Sequence, residues 1–369
     1  MHFMSRKLYT GMAGLLLLLV FFYAKATGIA TNVEPLVLRA EKLPFTPREF
    51  YIADIVDDRS DRKAVVYLLP VGGQGKVQAV DLQGGAPVAL RTFIQKSLPA
   101  DKSLRPIIIR LKELQVKETP AAAGRVAGNV SLIMSFEMER EGEAVPLLQY
   151  KGGGRYERSA TRNEVTEPAM RQSIVEALRY LNTWMDREAN TNPRLAKGIK
   201  VSFTDYAASA DQDTVFYDPN RPLNWNDFQA DVNKTSRFSA TVFPSFAYEG
   251  ETEVRDGIIH LNLDMKVYVL KSSSWVKEDA KDPYGLNHEQ RHFDIVKLVS
   301  ERFKQKIKPE ELSLADYNSN IQYHFIESFR EMNQMQDQYD SETRHGLDKA
   351  AQDSWNQRLD KELKAMGVR

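Results

Sequence analysis

Leu286-Asn287-His288-Glu289-Gln290-Arg291-His292-Phe293-Asp294-Ile295-Val296 is the stretch on which the reading of this chain turns. Phe293, Val296, Val299 and Phe303 recur at helical spacing along it, which predicts an α-helix over 286–307 with one apolar face. On a helix, positions i and i+4 lie one turn apart on one face. His288 and His292 are therefore placed to reach a single metal ion at ~2.0–2.1 Å, with Glu289 offset around the helix beside that ion. This is the H-E-x-x-H pattern, in which two imidazoles ligate zinc and the glutamate serves as general base toward a water. With six histidines in 369 residues, a chance match is expected on the order of once in a hundred such chains.

Zinc hydrolases need a third protein ligand and keep the fourth position for water. The extended form of the motif is absent, because Ile295 and Leu298 stand where a glycine and a third histidine would fall. The ligand must come from farther along. Tyr339-Asp340-Ser341-Glu342-Thr343-Arg344-His345-Gly346 is the best stretch, read as a polar turn between two helices. His345 is the first choice, with Asp340 and the helical Glu331 and Glu327 as alternatives. Asp294 is a candidate to orient a ligand histidine, and Tyr339 a candidate to stabilise an oxyanion. The expected cofactor is Zn²⁺ and the expected partner a peptide or protein substrate.

Upstream, Ile259, Leu261, Leu263, Met265, Val267 and Val269 alternate with polar residues, which predicts one long strand of a small antiparallel sheet. Its edge would suit an extended substrate. Two further helices are expected over 314–339 and 346–366. Before the polar Asn190-Thr191-Asn192-Pro193 linker the pattern changes to short strands at 50–55, 64–69, 106–111, 126–138 and 146–156. Helices are expected from Pro87 and from Glu167, the latter capped by Thr166, and Gly152-Gly153-Gly154 suggests a bulge or bend. Val71-Gly72-Gly73-Gln74-Gly75-Lys76 lacks the glycine and hydroxyl positions of a phosphate loop and reads as a hairpin turn. The fold class is thus α+β. The expected layout is a secretory signal at 1–26, a small α+β accessory or binding domain at 27–195, and a zincin-like metallohydrolase domain with a small sheet and several helices at 200–369.

The second segment resembles a bacterial domain-of-unknown-function family described as predicted secreted zinc-dependent proteases. The likeness rests on Leu223-Asn224-Trp225-Asn226-Asp227-Phe228, on Ser274-Trp275-Val276, on His288 through Asp294, and on Tyr339-Asp340 with Thr343, His345, Gly346 and Trp355 beyond. It implies zinc and peptide hydrolysis for residues from about 223 to 366, and implies nothing for the first segment.

Composition narrows the alternatives. Fifty basic and fifty acidic residues leave no net charge, so no basic excess exists to neutralise phosphates and nucleic acid is not expected as a partner. The chain has no cysteine, which removes disulfides, thiolate ligands and a lipid-anchored lipoprotein N-terminus. Arg6 and Lys7, the apolar run Gly11–Ala24 and Ala24-Lys25-Ala26 have the layout of a cleavable export signal. No later stretch is long enough to span a bilayer. A periplasmic or secreted zinc peptidase is the expectation. Two other readings use the same residues. Glu289-x-x-His292 and Glu342-x-x-His345, with Glu327 and Glu331, would supply a di-iron carboxylate bundle. A non-catalytic envelope binding or assembly protein would keep the metal for stability alone.

Overall fold

The computed structural model describes residues 34–71, 75–207 and 212–369. The signal expected at 1–26 and the centre of the loop at 72–74 lie outside the described residues. Among the described residues, no helix is long and apolar enough to cross a membrane.

The fold is α+β. In the first part of the chain the elements are β1 (Phe50–Asp57), β2 (Val66–Leu68), β3 (Gln78–Val80), α1 (Ala86–Ser97), β4 (Arg105–Pro120), β5 (Arg125–Arg140), β6 (Glu143–Ser159) and α2 (Thr166–Glu188). Their sheet runs β3-β2-β4-β5-β6, and β1 also pairs with β4. β4 is much longer than the expected 106–111. A register shift between Leu111 and Glu113 returns Leu114 and Val116 to the buried face, so the apolar alternation continues past the charged Lys112-Glu113. β2 and β3 are antiparallel, as the hairpin reading requires.

The glycines of β6 make no bulge. Gly152, Gly153 and Gly154 pair continuously with Leu132, Ser131 and Val130 of β5. Their smallness serves the neighbours instead: a Cβ on Gly152 would lie within 2.4 Å of the Tyr150 hydroxyl, and one on Gly128 within 2.1 Å of the Tyr156 ring. Both tyrosines thus lie over bare backbone. α2 covers this sheet with Met170, Ile174, Leu178, Leu181 and Met185, all fully buried. Thr166 is not its cap; it is the first helical residue, and its hydroxyl lies 3.1 Å from that of Tyr156, whose single proton goes to Glu118.

The second part contains β7 (Gly198–Asp205), β8 (Thr214–Phe216), β9 (Ala240–Thr241), β10 (Pro244–Arg255), β11 (Ile258–Leu270), β12 (Trp275–Val276), α3 (Pro283–Lys306), α4 (Tyr317–Thr343) and α5 (Lys349–Ala365). β11 is the strand expected from the alternation, and its six apolar residues are no more than 3% exposed. The sheet is mixed rather than antiparallel, because β11 pairs antiparallel with β10 and β8 but parallel with β7. β11 is therefore central and offers no edge; the edges belong to β10 on one side and to β7 and β8 on the other. Sequence pattern misses β10 because Glu249, Glu251 and Glu253 read as loop, whereas an edge strand tolerates them facing water.

α3 starts at Pro283, earlier than expected, because the Asp282 carboxylate accepts from the backbone N–H groups of Tyr284 and Gly285 at 2.8 Å each. α4 runs on through Thr343, past the turn expected at 339–343. It ends where Arg344, His345 and Gly346 take φ values of 54°, 55° and 77°. Asp348 then caps α5 by accepting from Ala351 N–H at 3.0 Å.

Buried apolar residues fall into one large cluster from Leu38 to Leu195 and another from Ala196 to Leu363, with a small third one at Leu69, Val126 and Ala160. The chain between the two large clusters is tied down rather than loose. Arg105 donates to the carbonyls of Leu195 at 2.9 Å and Ala189 at 3.0 Å and to the Glu49 carboxylate at 2.5 Å.

Candidate metal centre

The helical repeat sets His288 and His292 on one face of α3, with ring centroids 5.0 Å apart. Antiparallel packing of α4 brings Asp340, in that helix's last turn, against both. Asp340 Oδ1 lies 3.3 Å from His288 Nε2 and 3.1 Å from His292 Nε2. One ligand atom from each of the three residues lies within 4.8 Å of the others.

The outer ring nitrogens fix what these contacts mean. His288 Nδ1 is 2.9 Å from Gln352 Oε1 of α5, and His292 Nδ1 is bonded to Gln336 Oε1 of α4. An amide oxygen only accepts, so each Nδ1 carries the proton and donates. The amide orientations agree with this, since Gln352 Oε1 also receives the Tyr339 hydroxyl at 2.8 Å and its Nε2 donates to Asn356 Oδ1 at 3.1 Å. In the neutral imidazoles both Nε2 lone pairs then face a carboxylate oxygen with no hydrogen between them. A metal ion, or a second proton on the imidazole, resolves such a convergence of lone pairs. A tetrahedral ion with bonds of ~2.0–2.1 Å sets its donors about 3.3 Å apart, which these separations match. The donor set therefore fits a small divalent metal, and the glutamines supply the outer hydrogen bonds that hold metal-ligating histidines in one tautomer.

Electrostatics follow the same logic. Burial would raise the Asp340 carboxyl, but its contacts with His288 and His292 outweigh burial and hold it well below the usual carboxylate range. Burial pushes the His292 imidazole down, and Asp340 with Glu289 more than reverse this. Glu289 is 6% exposed. Its carboxyl is pushed up by burial, against the opposing influence of His292, His288 and the Val242 N–H. Glu289 Oε2 accepts from Val242 N–H at 2.9 Å, and Oε1 accepts no hydrogen bond among the described residues. Tyr339 lies under the pair, stacked on His288 at 4.8 Å and edge-on to His292 at 4.8 Å.

Several expected roles fall elsewhere. His345 is not among the three converging donors. α4 continues past Asp340, so His345 comes after the helix end, 43% exposed, with its Nδ1 3.3 Å from the outer oxygen of Asp340. Its ring packs 4.7 Å from Phe238. Glu331 is spent on Arg302 at 2.6 Å and Lys306 at 2.8 Å, and Glu327 on Arg330. Glu342 accepts from the Trp355 indole at 2.8 Å, so the carboxylates of a di-iron bundle are not assembled around the histidines.

Asp294 is fully buried but touches neither histidine. It accepts from Tyr217, Gln290, Arg291 and Arg369 at 3.0, 3.0, 2.9 and 2.5 Å. Tyr339 is sealed from solvent, its hydroxyl committed to Gln352 and to the His288 carbonyl at 3.3 Å, so it cannot serve an oxyanion. Gly346 has a structural reason: a Cβ there would sit 3.3 Å from the His288 ring. Gln336 and Gln352 were missed. The signal for Gln336 is its place one turn before Asp340 on the same helix face; Gln352 carries no such local mark.

The geometry defines an α+β protein with a His-His-Asp group that could hold a metal ion and a buried glutamate beside it. No protein-family model matches the chain, and no curated protein matches it. One solved structure is similar, the protein XCC0632 from Xanthomonas campestris, of family model DUF330. The likeness has 14% identity and a TM-score of 0.21 over 42% of this chain and 93% of that one, and at that level it carries no argument.

Proposed function

We propose that this chain is a zinc-dependent peptidase, exported by its N-terminal signal to the periplasm or beyond, with residues 27–195 as an accessory binding domain. The observation that carries the reading is the convergence of His288 Nε2, His292 Nε2 and Asp340 Oδ1, each imidazole proton turned outward to a glutamine, beside a buried carboxylate with one free oxygen. His288, His292 and Asp340 would hold Zn²⁺. When bound, the ion supplies a Lewis acid that polarises a carbonyl and lowers the pKa of water to about 7.

Glu289 does the proton work. Val242 N–H fixes Oε2, which leaves Oε1 to accept the proton of the attacking water and pass it to the leaving amine. Burial raises this carboxyl toward the pH at which a general base is effective, since a base matched to ambient pH both ionises and returns its proton. Tyr339 and Gln352 orient His288, and Gln336 orients His292.

Elemental analysis of the chain from Thr27 onward tests the site. About one zinc per chain is expected, lost in His288→Ala and Asp340→Asn and retained in His345→Ala. Absence of metal after an attempt to reload zinc, or retention in Asp340→Asn with loss in His345→Ala, overturns the assignment.

A further inference from the structure

One short segment, 237–242, touches the metal centre at both of its ends. At the later end Val242 N–H holds Glu289, directly after β9 has paired with β12. At the earlier end the Phe238 ring packs 4.7 Å from the ring of His345, whose Nδ1 lies 3.3 Å from Asp340. Lys277 ties the stretch down, its N–H donating to the Ser239 carbonyl at 2.8 Å and its Nζ to the Ser236 carbonyl at 2.9 Å. His345 itself has a φ of 55°, in the left-handed region, and such backbone persists where the surroundings fix it.

Arg237 is the residue of this segment that no structural duty accounts for. Its guanidinium lies 4.9 Å from the centroid of Phe238, the same ring that packs on His345. It is exposed and has no carboxylate partner among the described residues. Lys277 has none either, and Glu278 beside it is spent on Lys281 at 2.6 Å. In a chain of zero net charge, two cations without counter-charges thus stand at the rim of the centre.

We propose that Arg237 is a specificity-determining residue that receives a carboxylate of the substrate, from an acidic side chain or a free C-terminus. This rests on the peptidase reading above. A guanidinium keeps its charge, and its planar fork matches a carboxylate through two parallel hydrogen bonds. The Phe238 ring holds the fork in place before substrate arrives, so less freedom is lost on binding. The contacts from Arg237 through Phe238 and His345 to Asp340 reach no farther than about four extended residues at ~3.3 Å each. The carboxylate is therefore set within about four residues of the bond that is cut.

The test uses a degenerate library of short peptides, made once as free acids and once as C-terminal amides. The zinc-loaded chain cuts them, and the sites are read by mass spectrometry. In parallel the libraries pass over immobilised, zinc-loaded Glu289→Gln chain, and the retained peptides are sequenced. Peptides with a carboxylate are expected to be enriched about fivefold in both readouts, within about four residues of the cut in the first. Enrichment of Asp and Glu in both libraries assigns the side chain; enrichment confined to the free acids assigns the C-terminus. Arg237→Gln should bring the preference to about unity with zinc content unchanged. Arg237→Glu should turn it toward Lys and Arg, a reversal that a merely structural residue would not produce. Equal recovery of acidic and neutral peptides, or a preference that survives Arg237→Gln, overturns the proposal and leaves any cutting as evidence for the peptidase. No cuts at all, with an Arg237-dependent preference among the retained peptides, overturns the peptidase reading and leaves Arg237 as a carboxylate-binding residue.

Discussion

Glu118 and Glu289 are both nearly sealed from water, at 4% and 6% exposure, yet their surroundings drive them in opposite directions. Glu118 lies in the first sheet and accepts from Arg158 Nε at 2.7 Å and Nη2 at 2.6 Å, from Tyr156 at 2.8 Å and from Leu69 N–H at 2.9 Å. Burial would raise its carboxyl, but these donors outweigh burial and hold it below its ordinary value. Glu289 has one backbone donor and no arginine, and burial wins. A buried carboxylate surrounded by donors is a fixed charge that holds strands together. One left short of donors exchanges its proton easily, which is a property a reaction can use.

The comparison breaks most visibly through activity. Glu289→Gln is expected to cost at least a hundredfold in peptide turnover with zinc content unchanged; turnover within a few-fold of the parent would place the proton work elsewhere. Glu118→Ala should have no such specific effect on chemistry but should destabilise the fold by about 3–5 kcal/mol, because Arg158 is left buried and uncompensated. Urea unfolding reads this directly, and a loss below about 1 kcal/mol would mean that water replaces the carboxylate. Gln352→Ala is smaller: zinc affinity measured by competition with a chelator should fall about 10–100-fold while the fold persists.

The smallest and most diagnostic effect is on acid stability. Glu118 has a depressed folded pKa, so its contribution is fully present above the unfolded value of about 4.3 and is lost as pH falls through the lower folded value. Unfolding free energy below about pH 4.3 should therefore drop less steeply in Glu118→Gln than in the parent, although the variant is weaker at neutral pH. Parallel acid slopes for the two chains would show that other carboxylates carry the dependence.

Much of the fold is legible in residue order. The period-two run from Ile259 to Val269 becomes the central strand β11, and the stripe Ile174, Leu178, Leu181, Met185 becomes the buried face of α2. β7 and β10 are less legible because pairing with β11, not their own apolar content, makes them strands. The end of α4 is misread for a local reason: Ser341, Thr343 and Gly346 look like a turn, but Thr343 is fully buried and its hydroxyl donates to the Tyr339 carbonyl at 2.8 Å, keeping the helix intact through it. That one extra turn moves the third donor from His345 to Asp340.

Sequence alone determined the pair His288 and His292 and the glutamate beside them, because the repeat of a helix places i and i+4 together whatever the rest of the chain does. It could place Asp340 among the candidates but not choose it. Asp340, Gln336 and Gln352 reach the histidines from two other helices, and their meeting depends on how α4 and α5 settle against α3 around Tyr339, Trp355 and Phe293. Register between helices is set by side-chain packing over many residues distant in sequence, and no local pattern encodes it.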